Sequence, residues 1–165
     1  MNYTCACCGE VHEDLPDLAF DRPTYAHQIP EEEYSDRVSL TSDLCIIDDE
    51  SFFIRGLIEI PVLGQEKTFG IGVWVSQKEE NFRTYERQFD SADIGPFFGW
   101  LSNEFRFMGE STLSLKTMAH FQGNDLRPSI ALEPTDHPLA VAQKQGISLD
   151  QAWEFIHDYL DPSAS

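Results

Sequence analysis

Basic residues are scarce in this chain. Its 165 residues include 11 Lys and Arg against 29 Asp and Glu, which gives a formal net charge of −18. Attraction to phosphate backbones or anionic headgroups needs a surplus of positive charge, so this composition excludes nucleic acid and membrane surfaces as electrostatic partners. The same charge would steer a basic protein toward the surface. Solubility is the simpler explanation, because the acidic residues are scattered and form no tail.

Long apolar runs are also missing. No stretch approaches the ~18 consecutive apolar residues of a membrane span. The start, Met1–Thr4, lacks the basic residues and apolar segment of a secretory signal. We therefore expect a cytoplasmic protein. The length and the hydrophobic fraction of 41% suffice for one core and predict a single domain over residues 1–165.

The usual signatures of catalysis are absent. The chain has no glycine-rich phosphate loop and no dinucleotide fingerprint. Ser102 lacks the G-x-S-x-G frame of a hydrolase elbow. Residues 48–50, Asp-Asp-Glu, contain no glycine-spaced calcium loop, so a solvated turn explains them better than a cation site. His137 follows Asp136 and would form an acid–base pair only beside a substrate site; otherwise it is an exposed turn residue.

Side chains that can bind a metal ion or react as thiols are concentrated in the first dozen residues. Three of the four cysteines lie there with one histidine: Cys5, Cys7, Cys8 and His12. Cys5 and Cys8 have C-x-x-C spacing with a glycine directly after the second thiol, which is the layout of a metal-binding knuckle. In a reducing compartment such cysteines are thiols or metal ligands rather than disulfides. We predict a zinc knuckle over residues 1–14.

A closed structural zinc site needs four ligands. The pair Cys5 and Cys8 supplies two, and we predict that Cys45 and His12 complete the set. His120 is the alternative to His12. One C-x-x-C pair is weaker evidence than two, so free thiols and a redox or thiol-relay role stay open as alternatives.

Alternating apolar and polar residues predict strands in the middle of the chain. Residues 52–62 and 69–75 alternate, with a polar reversal between them, and predict a β-hairpin. Short apolar or alternating runs predict four further strands: 44–47, 96–101, 113–120 and 127–132. The run at 96–101 is expected to be buried.

Capping boxes predict where two helices begin. The S-x-x-E sequence at 76–79 and the S-x-x-Q sequence at 148–151 both precede helical apolar spacing. Pro30 followed by three glutamates predicts a further short helix. Together these elements predict an α+β domain whose helices pack on a mostly antiparallel sheet of about five or six strands over residues 38–160.

Several blocks of the sequence resemble a known family. They are Cys5-x-x-Cys8-Gly9, Ser39–Cys45, Phe52–Gly56, Gly72–Ser76, Gly99–Ser102 and Leu132–Leu139. Together they resemble the uncharacterised, chiefly bacterial family called domain of unknown function 2199, over nearly the whole chain. The resemblance implies a bacterial cytosolic protein of one domain, and it implies no activity because the family has none assigned.

Two classes of function follow from these observations. The first is a non-catalytic, zinc-binding interaction domain whose acidic surface and exposed aromatic strand edge bind a basic protein. The second is a small metal-dependent or thiol enzyme of unknown substrate that uses Cys5, Cys8 or His137. The absence of a recognisable catalytic set favours the first class. Four protein ligands around the metal would support it, whereas three ligands and water beside a cleft would support the enzyme.

Overall fold

The computed structural model describes most of the chain after residue 16. The described residues are 3–4, 11–12, 17–123 and 126–160, with side chains given for 17–123 and 126–157. The predicted zinc knuckle, with Cys5, Cys7 and Cys8, lies outside the described residues except for the backbone of two short strands.

The described residues form an α+β structure, which confirms the predicted class. The helices are α1 (Thr24–His27), α2 (Glu31–Arg37), α3 (Glu79–Arg87), α4 (Pro138–Gln145) and α5 (Leu149–Leu160). The strands are β1 (Tyr3–Thr4), β2 (Val11–His12), β3 (Leu18–Ala19), β4 (Val38–Leu40), β5 (Leu44–Ile47), β6 (Ser51–Pro61), β7 (Thr68–Gln77), β8 (Phe97–Trp100), β9 (Arg106–Phe107), β10 (Glu110–Ser111), β11 (Lys116–His120) and β12 (Ser129–Leu132). None of the helices described here has the length and apolarity needed to cross a membrane.

Eight of these strands form one mixed sheet. Its order is β3-β7-β6-β12-β11-β8, and β5 pairs with β6 and carries β4 on its other side. The β3–β7 and β12–β6 pairs are parallel, whereas the other pairs are antiparallel. The sheet is larger than the five or six strands predicted over 38–160. The difference arises because β3 and β4 are too short to show a period in the sequence, and β3 lies before residue 38.

The hairpin of β6 and β7 is the centre of the sheet. Its register runs from Phe52 opposite Gln77 to Pro61 opposite Thr68, which confirms the predicted hairpin. Alternation turns Ile54 toward the main core, which β6 and β7 share with the apolar residues of α3, α4 and α5. We call the side of the sheet that faces this core the inner face.

The opposite, outer face is covered at one end by the segment from α1 to β5. A second, smaller core lies there, and it contains Ala26, Val38, Cys45, Ile47, Phe53 and Trp74. Over β8, β11 and β12 the outer face carries large exposed side chains, among them Phe98 and Trp100. The sheet is therefore covered on one side and open over three strands on the other.

The end of β8, the last strand in the order of the sheet, contacts β7, so the sheet is strongly curved. Leu101 forms an antiparallel bridge with Val75. The Ser102 N–H donates to the Trp74 carbonyl oxygen at 2.8 Å. Gly99 allows this approach, because a Cβ there would overlap the carbonyl oxygen of Ser76.

The two predicted capping boxes have different outcomes. In α5 the Ser148 N–H donates to Gln151 Oε1 at 2.9 Å and the Gln151 N–H donates to Ser148 Oγ at 3.1 Å, so this box is confirmed. The prediction at 76–79 is wrong. Ser76 belongs to β7, and its Oγ accepts the Trp100 N–H at 3.0 Å, while α3 begins at Glu79 with no side-chain cap.

Candidate functional site

Two adjacent aromatic side chains lie exposed on the outer face of β8. Phe98 and Trp100 are 42% and 43% exposed, and their ring centroids lie 5.2 Å apart with an interplanar angle of 85°. They point to the same side because residues two apart in a strand share a face. An exposed aromatic pair of this kind marks a candidate recognition surface. The prediction that 96–101 is a buried strand is therefore wrong for these two residues.

A groove with mainly apolar walls lies beside this pair. Phe98 pairs across the strands with Met118, and Met118 pairs with Ala131, so the floor crosses β8, β11 and β12. The groove has a volume of about 610 Å³ and also contacts Pro134. Its polar members are mainly Lys116, Thr117, His120 and Glu133. Mostly apolar walls with a few polar groups are typical of binding sites. We call Phe98, Trp100 and Met118, with this groove, the aromatic face.

The outer edge of β8 is closed to strand addition. The Phe98 carbonyl oxygen accepts from Gln77 Nε2 at 3.2 Å. The Trp100 N–H donates to Ser76 Oγ, and the Trp100 carbonyl oxygen accepts from Ser102 Oγ at 2.8 Å. A partner strand would need these backbone groups. A partner that binds here therefore contacts the side chains of the face and not the edge of the strand.

A second cavity, of about 560 Å³, lies between Trp100 and the turn that joins β5 to β6. We call it the cleft. Its aromatic walls include Tyr25 and Phe53, whose stacked rings have centroids 6.0 Å apart. Its polar walls include Glu50 and Gln77, and no Lys, Arg or His of the described chain lines it. Trp100 contacts both the cleft and the groove.

Gln77 places a buried side-chain amide at the wall of the cleft. The side chain is buried, with 8% of the residue exposed. Its Nε2 donates to the Ser76 and Phe98 carbonyl oxygens at 2.8 and 3.2 Å, which fixes the orientation of the amide. Its Oε1 has no hydrogen-bond partner among the described residues. A buried acceptor without a partner costs free energy, so a bound donor would stabilise it.

The acidic turn at 48–50 borders the cleft. Asp48 and Asp49 have φ of +54° and +55°. The Arg37 guanidinium donates to both Asp48 carboxylate oxygens, at 2.8 and 3.0 Å, and so lowers the pKa of that carboxyl. Asp49 and Glu50 have no ion-pair partner in the part of the chain that the structure describes. The turn therefore carries two carboxylates without an ion pair, of which Glu50 lines the cleft with its aromatic walls.

Cys45, a predicted zinc ligand, lies in the smaller core. It is fully buried against apolar side chains that include Phe53 and Trp74. Burial raises the pKa of its thiol to about 11, although the charge of Arg22 partly opposes the shift. In these surroundings the side chain packs as a small apolar group. Its role as a ligand stays a prediction, because the cysteines that would share the ion lie outside the described residues.

The two histidines considered as zinc ligands belong to different strands. His12 belongs to β2, and its side chain lies outside the described residues. His120, the alternative, is exposed at the end of β11 beside the groove. Within residues 17–123 and 126–157, no three His, Cys, Asp or Glu side chains are close enough to hold a metal ion.

His137 holds the start of α4. Its Nδ1 accepts the Leu139 N–H at 3.0 Å, and its Nε2 lies 2.8 Å from the Ser111 carbonyl oxygen. This geometry requires the neutral ring with its proton on Nε2. Both ring nitrogens are therefore used in structural hydrogen bonds, and this arrangement gives no support to an acid–base pair with Asp136.

Fold and surface together define an α+β domain with an open aromatic sheet face. The chain belongs to the family described as "Uncharacterized protein conserved in bacteria (DUF2199)", whose model matches residues 4–147. The resemblance seen in the sequence is thereby confirmed. No curated protein and no solved structure matches the chain.

Proposed function

We propose that this protein is a non-catalytic interaction domain that binds a basic protein partner through the aromatic face. The observation that carries this proposal is the adjacent exposure of Phe98 and Trp100 above an apolar groove. Full burial of one large apolar side chain contributes about 1.5–3 kcal/mol. Trp, Phe and Met are also enriched in protein interfaces, where a few central residues supply most of the affinity.

Charge defines the chemistry of the partner. The chain carries a net charge of −18, and Glu50, which has no ion-pair partner among the described residues, lines the cleft together with Trp100. A partner with Lys or Arg beside apolar anchors is complementary to this surface and associates faster at low salt. Since the edge of β8 is closed, we expect the partner to supply side chains to the groove and the cleft.

Selection from a random peptide library on the immobilised native protein tests the proposal. We expect the enriched sequences to combine an aromatic or aliphatic residue with Lys or Arg. Trp100→Ser should weaken the binding of a selected peptide by about 30-fold, the effect of a hot-spot residue. Leu63→Ser is the matched control, because Leu63 is 61% exposed in the turn between β6 and β7. Failure to enrich any sequence, or equal binding to Trp100→Ser, would overturn the proposal.

We further propose that a structural zinc ion anchors the N-terminal segment through Cys5, Cys8, His12 and Cys45. The support is the C-x-x-C-G spacing and the nearby histidine. The metal content of untagged protein, measured by elemental mass spectrometry, should be one zinc per chain in the native protein and none in Cys8→Ser. Cys45→Ala tests the fourth ligand, since a protein that keeps its zinc in this variant does not use Cys45. A native protein free of metal would refute the site.

A further inference from the structure

The residues that line the cleft are suited to bind a positively charged side chain. Its carboxylate, Glu50, and its buried amide oxygen, Gln77 Oε1, are acceptors. Four aromatic residues also line it: Tyr25, Phe52, Phe53 and Trp100. No basic side chain of the described residues supplies a donor from within the cleft. A planar cation with several N–H groups matches both the acceptors and the rings.

We infer that the cleft receives an arginine side chain of the basic partner. This inference rests on the proposed function and names the residue that the partner contributes. A guanidinium stacks on aromatic rings and carries five donors in a fixed plane, whereas an ammonium is a more strongly hydrated point charge. Glu50 pairs with the charge, Gln77 Oε1 accepts an N–H, and the aromatic walls contact the guanidinium plane and the methylene groups.

Two features of the structure prepare the cleft for this ligand. The bond between Arg37 and Asp48 fixes the turn and satisfies Asp48, while Glu50 remains without an ion-pair partner among the described residues. The two carbonyl oxygens that hold Gln77 Nε2 prevent the amide from turning its donor toward the ligand. The site therefore holds its carboxylate and its amide in place before the partner arrives, which reduces the ordering cost of binding.

Lys116 lines the groove and does not line the cleft. Its Nζ is 6.0 Å from the centroid of the Trp100 ring and belongs to the groove. In the groove the carboxylate of Glu133 is accompanied by the positive charge of Lys116, whereas in the cleft Glu50 is accompanied by no basic side chain of the described residues. We therefore place the arginine of the partner in the cleft and its apolar anchor in the groove.

The test uses Nα-acetyl-L-arginine methylamide as the probe for the full-length protein. Nitrogen-edited NMR would follow the side-chain amide of Gln77 and the indole N–H of Trp100 during titration. We expect saturable shifts of both signals. The citrulline analogue, which has similar shape without charge, should bind at least about threefold more weakly, and Glu50→Gln should weaken the arginine probe by a similar factor, as for an exposed ion pair. Glu66→Gln, exposed in the turn between β6 and β7 and outside both the cleft and the groove, should leave it unchanged.

The outcomes separate this inference from the proposed function. The absence of saturable shifts up to the solubility limit of the probe would overturn the inference, and so would equal affinities of native and Glu50→Gln. If library peptides then still depend on Trp100 but not on their arginines, the proposed function stands without the arginine site. If the probe saturates the cleft but no peptide is ever selected, the arginine site stands and the protein partner is refuted. Glu50 is exposed, so its substitution keeps the fold.

Discussion

Replacing Gly99 with alanine should separate β8 from β7. The added Cβ would overlap the carbonyl oxygen of Ser76 and lie 2.8 Å from Gln77 Nε2. Since the overlapped atom belongs to the backbone, one strand must move. That movement strains the Trp100 N–H bond to Ser76 Oγ and the Gln77 bond to Phe98, which close the outer edge of β8.

The expected loss of stability is about 3 kcal/mol. Overpacking costs about 1–3 kcal/mol, and each weakened hydrogen bond costs about 1 kcal/mol. The lower entropy of an unfolded chain with alanine returns only about 0.4–1 kcal/mol. For a chain of this size each kcal/mol lowers Tm by about 2–4 °C, so we expect a decrease of roughly 6–12 °C.

Urea denaturation and thermal melting of native and Gly99→Ala protein give this difference. Gly72→Ala is the matched control on β7, because its Cβ would lie 3.1 Å from the Ala19 side chain of the two-residue strand β3, so that a shift of that strand by a few tenths of an ångström suffices. We expect this control to lose less than about 1 kcal/mol. If Gly99→Ala were as stable as the native protein, β8 would not approach β7 as closely as described, and the cleft would have a different shape.

Three further predictions concern local interactions. Ser148→Ala removes the Oγ acceptor of the α5 capping box and should cost about 1 kcal/mol in urea denaturation; no change would show that the box with Gln151 does not form. The lowered pKa of Asp48 means that its pair with Arg37 stabilises the fold above the ordinary carboxyl pKa of about 3.9, and that this contribution is lost as the pH falls through the lower folded value. Arg37→Gln should therefore reduce the acid sensitivity of the urea midpoint, and an unchanged pH profile would refute the pair. The buried Cys45 thiol should resist iodoacetamide at mildly alkaline pH and react after unfolding in urea; rapid labelling of the native protein, located by peptide mass mapping, would contradict its burial.

The parts of the fold that sequence predicted correctly have local causes. The period-two pattern of residues 52–62 and 69–75 fixes both the hairpin and the side that faces the main core, because a shift by one residue would turn Ile54 to the outer face. The S-x-x-Q sequence at 148–151 satisfies two backbone donors at once and defines the start of α5. Each signal lies within a few residues of the structure that it predicts.

The parts that were missed depend on contacts distant in sequence. Ser76 has the local pattern of a helix cap, but its hydroxyl bonds to β8, 24 residues away along the chain. The same closure of the sheet places Trp100 at the junction of the groove and the cleft. Because side chains alternate along a strand, Phe98 and Trp100 both lie on the face of β8 that points away from the main core. Alternation alone does not show which of the two faces is covered, since that depends on where α1, α2 and the helices of the core pack.

Calorimetric titration of a library-selected peptide into native protein and Trp100→Ser tests the central claim most directly. If the aromatic face is the binding surface, the native titration shows a negative heat-capacity change from buried apolar area, and the Trp100 variant binds about 30-fold more weakly. Equal affinities for the two proteins, with the same heat-capacity change, would place the binding surface elsewhere and contradict the account.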